Sequence, residues 1–151
     1  MDAQPIDYNK YLGTWYEQAR YHNFFERKCK SNIAARYTLQ KDGSIEVLNS
    51  CTTHSGKLAE ARGIARKANK KDITFKVTFA PKILRLLPFV WANYTVIYVD
   101  KEYEFALVGE PSKKYLWFLS RKQKADPDLF KKVKMIAQEH GYNLSKLIYP
   151  E

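Results

Sequence analysis

The sequence predicts an all-β fold: an eight-stranded up-and-down antiparallel β-barrel with one C-terminal α-helix packed on its outside. Three observations lead to this prediction. Apolar and polar residues alternate through most of the chain, turn residues separate the alternating runs, and the spacing becomes helical once, near the C-terminus. Eight strands can close on themselves, which removes exposed edges and leaves an interior for one small ligand. We expect residues 1–151 to form a single domain.

The predicted strands follow from this alternation. The first strand contains Trp15, and strands over residues 33–39 and 45–49 flank the turn Lys41-Asp42-Gly43, which is the firmest local prediction. The remaining strands are predicted over residues 59–65, 73–79, 94–99, 103–108 and 115–121.

The predicted helix begins at Asp126 and Pro127, a capping residue followed by a first-turn proline, and ends at Gly141. The residues between them that recur at helical spacing are Leu129, Val133, Ile136 and His140. A helix with one apolar side must bury it, and the outer face of the sheet is the available surface.

Composition excludes several functions. The net charge of +10 raises nucleic acid as a partner, but Lys and Arg are spread along the chain without a nucleic-acid-binding motif, so we expect none. An anionic membrane surface remains a candidate partner. The three histidines, His22, His54 and His140, show no metal-site or catalytic spacing, and no carboxylate pair stands out, so we expect no cofactor, no metal and no enzyme. No apolar run approaches the roughly 20 residues of a spanning helix.

Four stretches carry a resemblance to a known family. Residues 11–20 (YLGTWYEQAR) resemble the first signature of the lipocalins, in the bacterial lipocalin (Blc) and apolipoprotein D branch. Residues 24–27 (FFER), 96–108 (VIYVDKEYEFALV) and 115–121 (YLWFLSR) resemble that branch's first loop, second signature and third signature. Three signatures in this order, followed by a helix, are a specific match.

The resemblance implies a function and a location. It implies that Trp15 lies across the closed end of the barrel with the Arg121 guanidinium stacked on it. It implies transport or storage of a fatty acid, a lysophospholipid or a related lipid, in envelope lipid maintenance, with an isomerase or hydrolase on the same scaffold as the alternative. It also implies a location in the bacterial cell envelope, in the periplasm or at the outer membrane, where similar proteins are usually lipoproteins held by an acylated N-terminal cysteine. The anchoring cysteine is absent here, so we expect a trimmed signal and anchor, with a soluble cytoplasmic form as the alternative; a homodimer remains open.

Strand parity predicts which side chains face the ligand. If Arg121 points inward, Leu119, Trp117 and Tyr115 share its side, while Leu116 and Phe118 face outward beneath the helix. On the strand over residues 94–99 we choose the tyrosines, because a hydroxyl in an apolar cavity can fix a ligand's polar end. The predicted ligand-binding residues are Tyr37, Phe75, Val77, Phe79, Trp91, Tyr94, Val96, Tyr98 and Trp117. Ile73 and the small residues Ala61, Gly63 and Ala65 are also expected inside.

The two cysteines, Cys29 and Cys51, are too few for a disulfide scaffold and wrongly spaced for a metal site. A strict hairpin register pairs Cys51 with about Ala34, so a bridge to Cys29 requires a bend or bulge between residues 29 and 34. Free thiols remain an alternative. The family resemblance implies that the two form a disulfide, and hence an oxidising compartment.

Apolar side chains are also expected on loops at the open end of the barrel. Phe24, Phe25 and the segment over residues 83–89 would expose more apolar surface there than a protein without a lipid or protein partner usually does. Lys82 and Arg85 place cations beside this surface, which suits an anionic lipid headgroup or bilayer.

Overall fold

A computed structural model describes residues 6–23, 26–67, 74–87 and 91–150. Its strands belong to one antiparallel sheet, in which each strand from β1 to β7 pairs with the next along the chain and β8 pairs with β1. The strands are β1 (Gly13–Tyr21), β2 (Cys29–Leu39), β3 (Ile45–Thr53), β4 (Leu58–Lys67), β5 (Thr74–Thr78), β6 (Ala92–Val99), β7 (Phe105–Gly109), β8 (Leu116–Ser120) and β9 (Leu147–Ile148). The helices are α1 (Tyr8–Tyr11) and α2 (Pro127–Glu139).

Strand β1 closes the barrel, because it pairs with β2 along one part of its length and with β8 along another. Tyr16, for example, is opposite both Ala34 of β2 and Ser120 of β8. The predicted eight-stranded up-and-down barrel is therefore confirmed. The short strand β9, which the sequence did not predict, pairs with the end of β1.

The order of the strands gives the barrel two different ends. Strand β1 begins at the closed end, beneath which α1 lies. The connections that precede β2, β4, β6 and β8 therefore lie at the opposite, open end. Phe24, Phe25, Ile73, Pro88 and Phe89, which the sequence analysis singled out, lie outside the described residues.

Helix α2 packs on the outside of the barrel, as predicted. The Asp126 side chain accepts a hydrogen bond from the backbone N–H of Asp128 at 2.9 Å, which caps the helix, and Gly141 follows its end with φ +89°. Leu116 and Phe118 of β8 face outward beneath the helix, in a core that includes Val133, Ile136 and Ala137. No helix among the described residues has the length and apolar character needed to cross a bilayer.

In β1 and in β6, a β-bulge interrupts the alternation of inward and outward side chains. One lies at Gln18, where the register of β1 against β8 shifts between Glu17 and Ala19. The other lies at Ile97, where the register of β6 against β7 shifts. A bulge adds one residue to a strand, so every side chain beyond it changes face relative to simple parity.

Candidate ligand cavity

The barrel encloses a cavity of about 490 Å³, a size typical of small-molecule sites. Ala61 and Phe79 line it and are exposed, so it opens to solvent. Its walls are largely small and apolar, because inward positions on successive strands carry such residues. They include Ile33, Ala35, Val47, Ala59, Ala61 and Val77.

The closed end of the barrel is sealed by Trp15 and Arg121. The Trp15 side chain is fully buried, and the Arg121 guanidinium carbon lies 3.8 Å from the centroid of its ring. Trp15 Nε1 donates to the carbonyl of Tyr11 at 2.8 Å. Gly13 has φ +101°, and a Cβ there would lie 3.3 Å from Arg121 Nη1, so glycine suits this position on two counts.

Tyr37 and Tyr94 line the base of the cavity above this seal, and Tyr11 lies in contact with Tyr94. The Tyr94 hydroxyl hydrogen-bonds those of Tyr11 at 2.5 Å and Tyr37 at 2.8 Å. Burial raises the pKa of Tyr37 to about 12 and that of Tyr94 well above its usual value. The three phenols are therefore neutral near pH 7 and can offer hydrogen bonds without charge.

A buried charged group occupies the wall nearer the open end. Arg20 Nη1 donates to Glu17 Oε2 at 3.0 Å, and Trp117 Nε1 donates to Glu26 Oε1 at 2.7 Å. Glu17, Glu26 and Trp117 all line the cavity. Burial, followed by repulsion from Glu26, raises the pKa of Glu17 well above its usual value. The sequence analysis, which looked for carboxylate pairs suited to acid–base catalysis, did not single out these two residues.

The structure places six of the nine predicted ligand-binding residues at the cavity or the void beneath it. Phe79 is 44% exposed at the cavity, and Phe75 lines a void of about 20 Å³ under it. The other four, which line the main cavity, are Tyr37, Val77, Tyr94 and Trp117. Of the small residues, Ala61 lines the cavity and Ala65 the void, while Gly63 lies against the Phe79 ring. Contact with a ligand remains a proposal for all of them.

Three predicted positions need correction. Tyr98 packs in the outer core against the helix side, because the bulge at Ile97 reverses parity on β6. Val96 faces inward but is 1% exposed in the inner core and does not reach the cavity. Trp91 does not line the cavity either: its Nε1 donates to the Arg85 carbonyl at 2.6 Å, and the Arg66 guanidinium carbon lies 5.5 Å from its ring centroid.

Cys29 and Cys51 are joined by a disulfide with a Cα–Cα distance of 5.6 Å, and both line the cavity. Two register shifts, between Cys29 and Ala34, bring the two strands into this arrangement. Asn32 lies within the second shift, between Ser31 and Ala34, and has φ 52°. The bend that the sequence analysis required for a bridge is thus present. Within the described ranges, no group of His, Cys, Asp and Glu could hold a metal ion.

A closed eight-stranded barrel with an external helix and an internal, solvent-open cavity defines the class of small-molecule-enclosing barrels. Residues 6–151 match the lipocalin-like domain model. The chain belongs to the lipocalin-like family, which confirms the resemblance drawn from its signatures.

Three similar proteins illustrate this membership. Temperature-induced lipocalin-1 of Arabidopsis thaliana is 39% identical over 148 residues, covering 96% of this chain and 78% of the relative. Outer membrane lipoprotein Blc of Vibrio cholerae is 36% identical over 150 residues, covering 97% and 83%. The structure of insecticyanin from the tobacco hornworm Manduca sexta has a TM-score of 0.76 at 20% identity, covering 100% of this chain and 85% of its own; this likeness concerns the fold alone.

Proposed function

We propose that this protein binds a fatty acid, a lysophospholipid or a related amphiphile in the barrel cavity, for transport or storage. The observation that carries the proposal is the cavity of about 490 Å³, apolar along most of its wall and sealed below by Trp15 and Arg121. A hydrocarbon chain placed there leaves water, which contributes about 0.8 kcal/mol per buried methylene.

Binding, rather than catalysis, is the function that the side chains support. The two cysteines at the cavity are joined to each other, so neither is a nucleophile. Glu17 is a buried acid, the feature that the enzyme alternative requires, but Arg20 already holds one of its oxygens. Its partner Glu26 is likewise held by Trp117. Catalysis by an isomerase or hydrolase on this scaffold therefore remains only the alternative function.

A series of saturated fatty acids of increasing length tests the proposal. In competition against a fluorescent fatty acid, each added methylene should lower the dissociation constant about fourfold until the cavity is full. The control is a matching series of short acids that leave most of the cavity empty. An affinity independent of chain length would contradict the proposal.

The loop between β5 and β6 supports a second partner, an anionic membrane surface. Ile83 is 84% exposed and Leu86 is 92% exposed, at the open end of the barrel. Lys82 and Arg85 lie among these apolar residues, so a bilayer could take up the side chains while its anionic headgroups meet the cations. Replacing Lys82 and Arg85 by Gln should reduce sedimentation with anionic vesicles and leave neutral vesicles unaffected. Equal losses on both would exclude this role for the charges.

We infer an oxidising compartment for this protein, with the bacterial cell envelope as the proposed location. The disulfide supports the first statement, because such bonds persist under oxidising conditions. Similarity to a protein named outer membrane lipoprotein Blc supports the second. Alkylation without reductant, followed by mass measurement, should leave both cysteines of protein from its native source unmodified; labelling of both would contradict the inference.

A further inference from the structure

The cavity wall near the open end carries a carboxyl pair, Glu17 and Glu26, whose charge the protein itself only partly neutralises. We propose that this carboxyl pair is a subsite for the protonated amine of an amphiphile, so that the cavity prefers an alkylamine to an uncharged or anionic amphiphile of the same chain length. The inference rests on the proposed ligand-binding function and names the ligand class that its polar wall selects.

The pair is assembled by the bulge in β1 and by the connection after it. Trp15 and Glu17 face inward by ordinary alternation, and the bulge at Gln18 then returns Arg20 to the same inner side. Ala19 and Tyr21, by contrast, pack in the outer core. Arg20 Nη2 donates to the Glu26 carbonyl at 3.3 Å, which holds the connection over the wall.

Glu26 is held firmly on one of its two carboxylate oxygens. Its Oε1 accepts from Trp117 Nε1 at 2.7 Å and from Asn23 Nδ2 at 3.0 Å. Its backbone N–H donates to Asn23 Oδ1 at 2.9 Å, which fixes the residue further. The carboxylate thus has a fixed position against the cavity wall.

The second oxygen of Glu26 and one nitrogen of Arg20 form an ion pair with each other but make no hydrogen bond. Glu26 Oε2 and Arg20 Nε are both buried with no hydrogen bond to any described residue, and they lie 3.7 Å apart, too far for a hydrogen bond. The Arg20 side chain is only 6% exposed. A buried acceptor without a donor is costly, so the Glu26 oxygen requires a proton from elsewhere.

Glu17 can supply that proton. Its side chain is 3% exposed, and two carboxylates facing one guanidinium leave one negative charge in a poorly hydrated wall. A proton on Glu17, donated to Glu26, makes the group neutral. Burial, proximity to Glu26 and a hydrogen bond between the two carboxyls all raise the pKa of Glu17.

A bound ammonium group can take the place of this proton. It brings one positive charge and three N–H donors to oxygens that otherwise must share a proton. A fatty-acid carboxylate brings a further negative charge to the same wall and no donor. The other titratable side chains along the cavity are Lys28 and Glu60, both exposed, and the neutral phenols of Tyr37 and Tyr94.

The position of the pair suits the head of an amphiphile. Glu17 is opposite Leu119 on β8, and Trp117 lies two residues nearer the open end. Tyr37 and Tyr94 line the cavity at its base. An amine held at the pair therefore leaves the apolar space beneath it for the hydrocarbon chain.

The test compares dodecylamine, dodecanol and dodecanoic acid as competitors of a bound fluorescent lipid at neutral pH. For the wild-type protein, dodecylamine should compete at about tenfold lower concentration than dodecanol, with the acid weakest. In Glu17→Gln the advantage of dodecylamine over dodecanol should disappear, so that the two compete at equal concentrations. The control variant is Glu60→Gln, which removes an exposed carboxylate at the same cavity and should keep the advantage.

Calorimetry of the wild-type protein adds a readout that needs no variant. Titrations of dodecylamine in buffers of different ionisation enthalpy should show release of about one proton per bound amine, and none for dodecanol. Equal competition by amine and alcohol, an advantage that survives in Glu17→Gln, or the absence of proton release would overturn the inference. If the alcohol and the acid bind without any preference for the amine, only this inference fails. If none of the three competes, the proposed function fails with it.

Discussion

Arg121 at the closed end of the barrel and Arg20 in the cavity wall are both inward guanidinium groups, but their partners differ. Arg121 donates to three backbone carbonyls, of Lys10 at 2.6 Å, Thr14 at 3.0 Å and Tyr103 at 3.1 Å, and stacks on Trp15. Arg20 faces two carboxyl groups, and its Nε makes no hydrogen bond.

This difference separates the parts of the barrel that hold it together from the part that we propose recognises a ligand. The closed end is built from carbonyl acceptors and an indole face, which satisfy Arg121 at any ordinary pH. In the proposed subsite, Glu17 and Glu26 of the cavity wall share a proton, and the charge of the wall should then respond to pH and to a ligand. The two arginines therefore differ in their acceptors: backbone carbonyls surround Arg121, whereas carboxyl groups that can take up a proton surround Arg20.

The largest expected effect lies at the closed end. Replacing Trp15 by Ala should lower the free energy of unfolding by about 3–5 kcal/mol, because it removes a fully buried aromatic side chain and the surface on which Arg121 stacks. Urea denaturation followed by far-UV circular dichroism measures the change. The matched control is Trp91→Ala at the open end, where the indole is only partly buried and the loss should be about 1 kcal/mol.

A smaller effect, in the pH dependence of stability, is expected at the cavity wall. The pKa of Glu17 is raised in the folded protein, chiefly by burial, so the native state keeps a proton that the unfolded chain loses above its ordinary pKa. The stability from this group is complete below that ordinary pKa and is lost as the pH rises through the raised value. Glu17→Gln should therefore flatten the decline in stability over this range, measured by urea denaturation at a series of pH values.

The matched variant Glu60→Gln should leave that decline in place, because Glu60 is exposed at the cavity. Asp42 and Glu110, whose pKa values are lowered by hydrogen bonds from their own turns, act in the opposite direction at more acidic pH in every variant. If the free energy of unfolding has the same pH dependence in the wild-type protein and in Glu17→Gln, the cavity wall does not hold this proton.

The regular parts of this barrel could be predicted from the sequence because local physics determines them. Alternation over two residues identifies a strand half buried in a barrel wall, and the Asp126-Pro127 start with the glycine at 141 marks the helix. The Trp15–Arg121 seal came from signature residues. Glu17 could also have been found, since it lies two residues after the inward Trp15 on the same strand.

The irregular parts could not be predicted, because a bulge leaves no clear mark in a single sequence. The bulge at Ile97 turns Tyr98 away from the cavity, and the bulge at Gln18 brings Arg20 inside. Glu26 reaches the wall from the connection between β1 and β2, where side chains do not alternate between two faces as they do in a strand. The polar side of the cavity therefore emerges only from the tertiary structure.

The most direct test of the central claim is a titration of one fluorescent fatty acid into wild-type protein, Ala61→Phe and Thr38→Phe. Ala61 lines the cavity, so a phenyl ring there should fill part of it and weaken binding at least about tenfold. Thr38 is exposed on the neighbouring outer surface of β2, and the same ring there should leave the affinity unchanged. Equal affinities for all three proteins would show that the ligand does not enter the barrel.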